Sequence, residues 1–434
     1  MTSSDESPTP APKQAEAVQA PHAAVSVIDT REAYLEAVDA IAGGTGPIAI
    51  DAERASGFRY SQRAYLIQIF RRGGGTFLFD PPAIGMFTEL NDALVDEEWI
   101  LHAASQDLTC LREVGIDPKR LFDTELGARL AGLPRVGLGT VVEELLGIHL
   151  AKEFSAADWS TRPLPQAWLV YAALDVELLV DLREALGALL DEAGKSEIVR
   201  EEFEAVLARD FRVVREQPWR RLSGLHSVRG VRGLAVAREL WQARDDYARE
   251  TDIAPGRLVP DSALVAAARN LPASKRDLVA MKQFTGRASR SQIDRWWDAI
   301  QLGMTTTDLP VLRATTDSIP PPRAWPDKNP VADRRLKAAR AAVTEKSTEL
   351  NIPIENLLTP ELLRRIAWSP PDPVQLDAVR TVLTDMGARP WQVAALAAPV
   401  TEAFLASVED DLAEPSEPVV EDDQTTPAAT SPES

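Results

Sequence analysis

The spacing of apolar residues changes period partway along the chain. Up to residue 124 they come in short runs bounded by polar or glycine-rich stretches: Val25 to Asp29, Pro47 to Glu53, Ala64 to Phe70, Thr76 to Asp80, Trp99 to His102 and Leu121 to Thr124. Runs of this length, rich in β-branched and aromatic residues, predict strands. Between the third and fourth lies Arg71 to Gly75, short and glycine-rich, which predicts a hairpin turn. No Gly-Lys-Ser/Thr follows those glycines, so a phosphate-cradling loop is set aside. Helical spacing over 31–41, 87–95, 103–114, 125–131, 141–146 and 165–190 interleaves with these strands. Residues 25–211 therefore read as an α/β domain with a mixed sheet.

Beyond that region the strand pattern disappears. A connecting helix over Glu197 to Arg215 leads to helical spacing around 235–250, 262–270, 275–281 and 289–300, which predicts an all-α bundle over 212–300. Residues 301–330 are rich in Thr and Pro, including Ile319-Pro-Pro-Pro322, and read as a linker. A shift of 99 residues without a gap then places Ile253 on Ile352, Leu258 on Leu357, Val259 on Leu358, Leu264 on Leu363, Ala268 on Ala367 and Pro272 on Pro371. Matching apolar positions with different charges predict a second bundle over 331–408 that shares the core of the first and not its surface.

Charge sharpens this division. The net charge of −19 is not spread evenly: residues 25–211 carry about −15, 212–300 about +7, 301–408 about zero and the tail, 409–434, about −9. A basic segment in an acidic chain points to nucleic-acid contact by that segment. Its candidates are Arg220, Arg221, Arg229, Arg232, Arg257, Lys275 and Arg276, with Trp219, Trp296 and Trp297 nearby. The tryptophans themselves read as core. The head, 1–24, and the acidic tail are polar, rich in Pro and Ser, and read as disordered.

The candidate chemistry lies in the acidic region. Pro47-Ile-Ala-Ile-Asp51-Ala-Glu53 ends an apolar run in two carboxylates at i and i+2, on one face of a strand, where they repel unless a cation lies between them. Asp107 falls in the first turns of a helix leaving the sheet, and Tyr171 and Asp175 stand at i and i+4 on one helix face. Four acids with no His or Cys among them suit hard cations such as Mg²⁺ or Mn²⁺.

The order of these residues resembles the three motifs of the DEDD exonuclease superfamily, in its tyrosine-bearing branch, within a context similar to the ribonuclease D family. The motifs are Asp51-Ala-Glu53, His102-Ala-Ala-Ser-Gln-Asp107 and Tyr171-Ala-Ala-Leu-Asp175, supported by Leu66-Ile-Gln-Ile, Phe122-Asp-Thr and Asp158-Trp-Ser-Thr-Arg-Pro-Leu164. The bundle over 212–300 resembles the helicase-and-ribonuclease-D C-terminal (HRDC) domain. There are two departures. The family usually begins Asp-Thr-Glu-Phe where this chain has Asp51-Ala-Glu53-Arg54, and the glutamine often found after the family's lysine is missing beside Lys152.

The resemblance implies a ribonuclease H-like exonuclease domain followed by HRDC and HRDC-like bundles. It further implies two divalent metal ions, Mg or Mn, held by Asp51, Glu53, Asp107 and Asp175, with Tyr171 orienting the attacking water. The implied reaction is 3′ to 5′ hydrolysis of RNA from a free 3′ end, releasing nucleoside 5′-monophosphates, with tRNA precursors as the expected substrate. Two other readings stay open: a single-strand DNA exonuclease, since the same chemistry does not need a 2′-OH, and a nucleic-acid-binding adaptor. One cysteine, Cys110, no apolar run near membrane-spanning length and no basic-then-apolar leader in the first residues place the expected protein in the cytoplasm, away from membranes.

Overall fold

The computed structural model describes residues 26–150, 154, 156–212, 215–312 and 319–413, together with Glu16–Ala17. The acidic tail from residue 414, the middle of the expected linker and almost all of the head lie outside the described residues; Glu16–Ala17 pairs in parallel with Ile148–His149. The chain divides into two compact units, Met1–Asp317 and Ser318–Ser434.

The first unit holds both the α/β region and the basic bundle. Six strands, β1 (Val27–Ile28), β2 (Thr45–Arg54), β3 (Ala64–Arg72), β4 (Gly75–Phe79), β5 (Glu98–Leu101) and β6 (Arg120–Asp123), form one sheet in the order β1-β4-β3-β2-β5-β6. The pairs β2/β3 and β3/β4 are antiparallel and the rest parallel, so the sheet is mixed, as the interleaving of strands and helices predicts. The hairpin forms at the glycines: Gly74 N–H donates to Arg71 C=O at 3.0 Å, and Gly73 takes φ +78°, a left-handed conformation that costs glycine little. β2 is buried on both sides, with Ile48, Ala49 and Ile50 fully enclosed. Each such isoleucine contributes roughly 1.5–3 kcal/mol, which anchors the strand that carries Asp51 and Glu53.

Helices cover the sheet: α1 (Arg31–Ala42), α2 (Leu108–Glu113), α3 (Thr124–Ala131), α4 (Leu138–Leu146), α5 (Gln166–Glu177), α6 (Leu179–Glu192) and α7 (Ser196–Ala208). Two expected helices differ in detail. The segment over 165–190 is two helices that meet at Leu178, the last residue of one cap and the first of the next. The segment expected to be helical from residue 103 starts instead with Ala103 in a left-handed conformation (φ +61°) and a 3-10 turn, Ala104–Gln106, before α2. The cause is non-local. The buried Asp123 carboxylate, from the end of β6, accepts the Ala103 and Ala104 N–H groups at 3.0 and 2.9 Å and holds that turn in place.

The basic bundle contains α8 (Gly230–Thr251), α9 (Asp261–Asn270), α10 (Lys275–Ala280) and α11 (Ile293–Thr305). Trp219 and Trp296 are buried in its core and Trp297 packs against it, as expected of core tryptophans. α11 lies so close to α8 that a Cβ on Gly303 would stand 2.5 Å from Val236 Cα. The bundle grips the loop that leaves β2: Asp252 accepts the Ser61 N–H at 2.8 Å and the Tyr65 hydroxyl at 3.0 Å, and Ala254 N–H donates to Phe58 C=O at 3.0 Å.

The second unit reproduces the repeat in its local geometry. Its helices are α12 (Pro330–Leu350), α13 (Pro360–Trp368), α14 (Leu376–Asp385) and α15 (Pro390–Ala413). α8 ends on Asp252 and α12 on Asn351, 99 residues apart and both left-handed at φ +48°. Leu357, Leu358, Leu363 and Ala367 are buried like their counterparts in the first bundle. The expected linker needs correction at both ends. Its first residues complete α11, and Trp325 is fully buried, its ring 4.9 Å from that of Trp368 and its Nε1 donating to Pro320 C=O at 2.7 Å. A large indole that finds an apolar partner belongs to a core whatever the proline content around it.

Candidate active site

The sheet and two helices bring all five residues of the three motifs into one cavity of about 460 Å³, lined also by Arg54, His102, Gln106, Glu125 and Leu138. Asp51 and Glu53 share the cavity-facing end of β2 because strand alternation puts them on one face. Asp175 comes from α5, and one oxygen from each of these three carboxylates lies within 4.8 Å of the others. Tyr171, one turn before Asp175, donates its hydroxyl to it. Asp107 sits at the N-terminal cap of α2, 5% exposed.

Burial dominates the electrostatics. It raises the carboxyl of Glu53 to about 10, with Asp51, Asp175 and Asp107 adding to the shift. Burial raises Asp51 as well, and pushes Asp107 and Asp175 well above the ordinary range, each with a further contribution from Asp51. Carboxyls this close, in protein rather than water, hold protons more tightly than free carboxyls, and a bound cation relieves the cost of their charge. A set of carboxylate oxygens with no imidazole or thiolate among them fits a hard divalent cation, so the donor set agrees with the chemistry expected of it. Burial also raises the Tyr171 phenol, with Asp175 and Glu53 adding to it, so the group stays protonated.

Three residues inside the quoted motif and supporting segments, Asp123, His102 and Gln68, have roles that the sequence does not assign. Asp123 caps α3 through the Glu125 and Leu126 N–H groups at 3.0 and 3.1 Å while holding the turn before Asp107, so a single buried acid positions a motif that lies earlier in the chain. His102 is fixed by Thr124: the Thr124 hydroxyl donates to Leu101 C=O at 3.2 Å, so it accepts from His102 Nδ1 at 2.9 Å, and Nε2 keeps its lone pair. Burial pushes the His102 ring down to about 4, which keeps it neutral. Gln68, opposite Asp51 in the β2/β3 register, is fully buried, and neither atom of its amide finds a hydrogen-bond partner among the described residues.

The candidates for nucleic-acid contact are far less uniform. Arg257 donates to Gly57 C=O at 2.7 Å and lies 4.0 Å from the centre of the Phe58 ring, joining the bundle to the loop after β2. Arg232 donates to the Gly303 and Thr306 carbonyls, Arg220 to Val311 C=O while stacking on Trp219, and Lys275 pairs with Asp294. Arg221, Arg229 and Arg276 are exposed and, among the described residues, carry no side-chain hydrogen bond or ion pair. Lys152, beside the departure from the family pattern, lies outside the described residues.

Comparison with known proteins follows the same divisions. A 3′-5′ exonuclease family matches residues 25–191, an HRDC domain 233–300, and a 3′ to 5′ exonuclease C-terminal domain 318–404. Ribonuclease D of Pseudomonas paraeruginosa is 30% identical over 342 residues, 77% of this chain and 88% of that protein. Among solved structures, a protein from Bifidobacterium adolescentis matches with a TM-score of 0.84 at 36% identity, over 90% of this chain and 99% of that one. Escherichia coli RNase D, described as an exoribonuclease involved in structured RNA processing, matches with a TM-score of 0.64 at 25% identity, over 89% and 99%.

Proposed function

This chain belongs to the ribonuclease D family of 3′ to 5′ exoribonucleases, and from that premise we propose that the pocket around Asp51 removes nucleotides one at a time from the 3′ end of structured RNA, tRNA precursors among them. The observation that carries the reading is the convergence of the Asp51, Glu53 and Asp175 carboxylates to within 4.8 Å in a cavity that also receives Asp107 and Tyr171.

Asp51, Glu53 and Asp175 would hold one divalent cation, and Asp51 with Asp107 a second. When bound, two such ions, magnesium or manganese, would supply an activated water and neutralise the charge on the departing 3′ oxygen. Tyr171 keeps its proton, so its role is to orient the attacking water by hydrogen bonding and not to remove a proton from it. The exposed Arg221, Arg229 and Arg276 hold RNA phosphates away from the scissile bond. Among the described residues no helix is long and apolar enough to cross a membrane, which suits work on RNA in the cytoplasm.

The test is a digestion of a tRNA precursor carrying a 3′ trailer, a single-stranded RNA and a DNA of matching sequence, with Mg²⁺, with Mn²⁺ and with chelator, alongside Asp51→Asn. Trimming of both RNAs to 5′-monophosphates with either metal, stopped by chelator and by the substitution, is expected. Faster digestion of DNA assigns the pocket to a DNA exonuclease, and intact 3′ ends under every condition assign the chain to binding.

A further inference from the structure

Arg54 is one of the two residues, with Ala52, at which this chain departs from the family's first motif, and alternation along β2 sends it to the face opposite Asp51 and Glu53. The structure does not keep it there. Glu53 pairs with Leu66 but Arg54 pairs with Ala64, so the β2/β3 register slips by one residue between them. Such an irregularity re-aims the next side chain. Arg54 lines the active-site cavity, with Nη2 at 3.4 Å from Asp107 Oδ1. Asp107 is 7% exposed at its side chain and Arg54 26%. Of the four acids, Asp107 is the one outside the close cluster formed by Asp51, Glu53 and Asp175. The Arg54 charge also acts on Asp51 and Glu53. Among the described residues one guanidinium is thus the counter-charge of the pocket, and it stands on the acid assigned above to the second cation.

We propose that Arg54 makes the two cation sites unequal: it competes with the ion at Asp107, and it yields that position when an RNA phosphate takes the guanidinium. This inference rests on the metal-binding reading of the pocket. The first ion binds the Asp51, Glu53 and Asp175 cluster without displacing a charged side chain. The second must displace a positive charge from a buried carboxylate, and like charges at that distance exclude each other. A phosphate diester offers the guanidinium a bidentate partner, so substrate and second ion favour each other's binding. The family's usual phenylalanine carries no charge to compete in this way.

The experiment measures Mn²⁺ binding to the full-length protein by calorimetry and by the electron paramagnetic resonance of free Mn²⁺, with and without a phosphorothioate oligoribonucleotide that resists cleavage. The native chain is expected to bind one ion per chain tightly and a second about tenfold or more weakly. In Arg54→Ala and Arg54→Gln the two affinities converge, and Arg54→Lys keeps them apart. The oligonucleotide tightens the second site of the native chain and not that of Arg54→Ala, and adding Asp107→Asn to Arg54→Ala returns the stoichiometry to one. Two equal sites in the native chain, or an unequal pair that survives in both neutral variants, overturns the inference and leaves the metal reading intact. Failure of both native and variant chains to bind Mn²⁺ overturns the metal reading and this inference together.

Discussion

The acidic pocket and the basic bundle carry opposite charge, and they hold it in opposite ways. In the pocket, Asp51, Glu53, Asp107 and Asp175 are crowded into protein with Arg54 as their counter-charge, and each acid shifts its neighbours. In the bundle, Arg220, Arg232, Arg257 and Lys275 already have carbonyls, rings or an aspartate as partners, while Arg221, Arg229 and Arg276 face solvent. A segment's net charge therefore counts groups without saying which are available. Coupled, buried charges respond to single changes steeply, and dispersed, exposed ones respond mildly and additively.

The steepest response is expected at Asp51, whose carboxylate is assigned to both cations. Asp51→Asn should lower kcat by about 10³-fold or more, since several kcal/mol of charge stabilisation rests on it. No single arginine in the bundle should approach that loss, and an Arg221→Ala effect of equal size, measured on the same RNA, would break the contrast. Within the pocket, Tyr171→Phe removes one hydrogen bond and no cation ligand. It should cost kcat about 10- to 100-fold while leaving Mn²⁺ affinity unchanged, which separates water orientation from metal binding.

The contrast was only partly legible beforehand, for reasons that differ by residue. Asp51 with Glu53, and Tyr171 with Asp175, are local pairs whose spacing matches the period of a strand and of a helix, so each pair could be placed on one face from sequence. Asp107 belongs to the set only through its motif. Its position depends on Ala103 being left-handed, and that on Asp123, from a strand formed later in the chain. Arg54 was invisible as a member of the site because the register slip that turns it inward is a property of pairing between β2 and β3. In the bundle the excess of arginine could be counted, but partners such as Gly57 and Phe58 for Arg257 lie about two hundred residues away in sequence. Trp325 shows the same limit, since its partner Trp368 lies beyond the span that proline content marks as linker.

A milder response sharpens the electrostatic side of the comparison. Glu53 rises from 4.5 to about 10 on folding, so the folded, metal-free protein holds a proton that the unfolded chain releases. Stability associated with this acid is fully present below pH 4.5 and is lost as pH rises toward 10. In chelator the melting temperature should therefore fall steadily with increasing pH across that window. Saturating Mn²⁺ should flatten the slope, because the cation takes the place of the proton. A slope that is the same with and without Mn²⁺ in a thermal-melt series would mean that the pocket's acids are not coupled through a shared cation.

The smallest effects belong to the bundle, where the comparison can be turned on itself. Replacing Arg221, Arg229 and Arg276 together by Ala should weaken RNA binding and reduce the slope of log affinity against log salt by about 2, at roughly 0.7 per phosphate contact on a single strand. Arg257→Ala removes from the same bundle one charge, as each of those three substitutions does, yet its guanidinium holds the Gly57 carbonyl and covers the Phe58 ring. Its loss should leave the salt slope unchanged and appear instead in the loop that leaves β2, which follows Asp51 and Glu53 directly. The readouts are a binding titration at several salt concentrations and hydrogen exchange across residues 55–63. Unequal slope changes per charge removed would show that position, not count, decides which arginines meet RNA. A slope change of about 0.7 for Arg257→Ala, the same per charge as in the triple variant, would return the bundle to a simple positive surface and remove half of the contrast with the pocket.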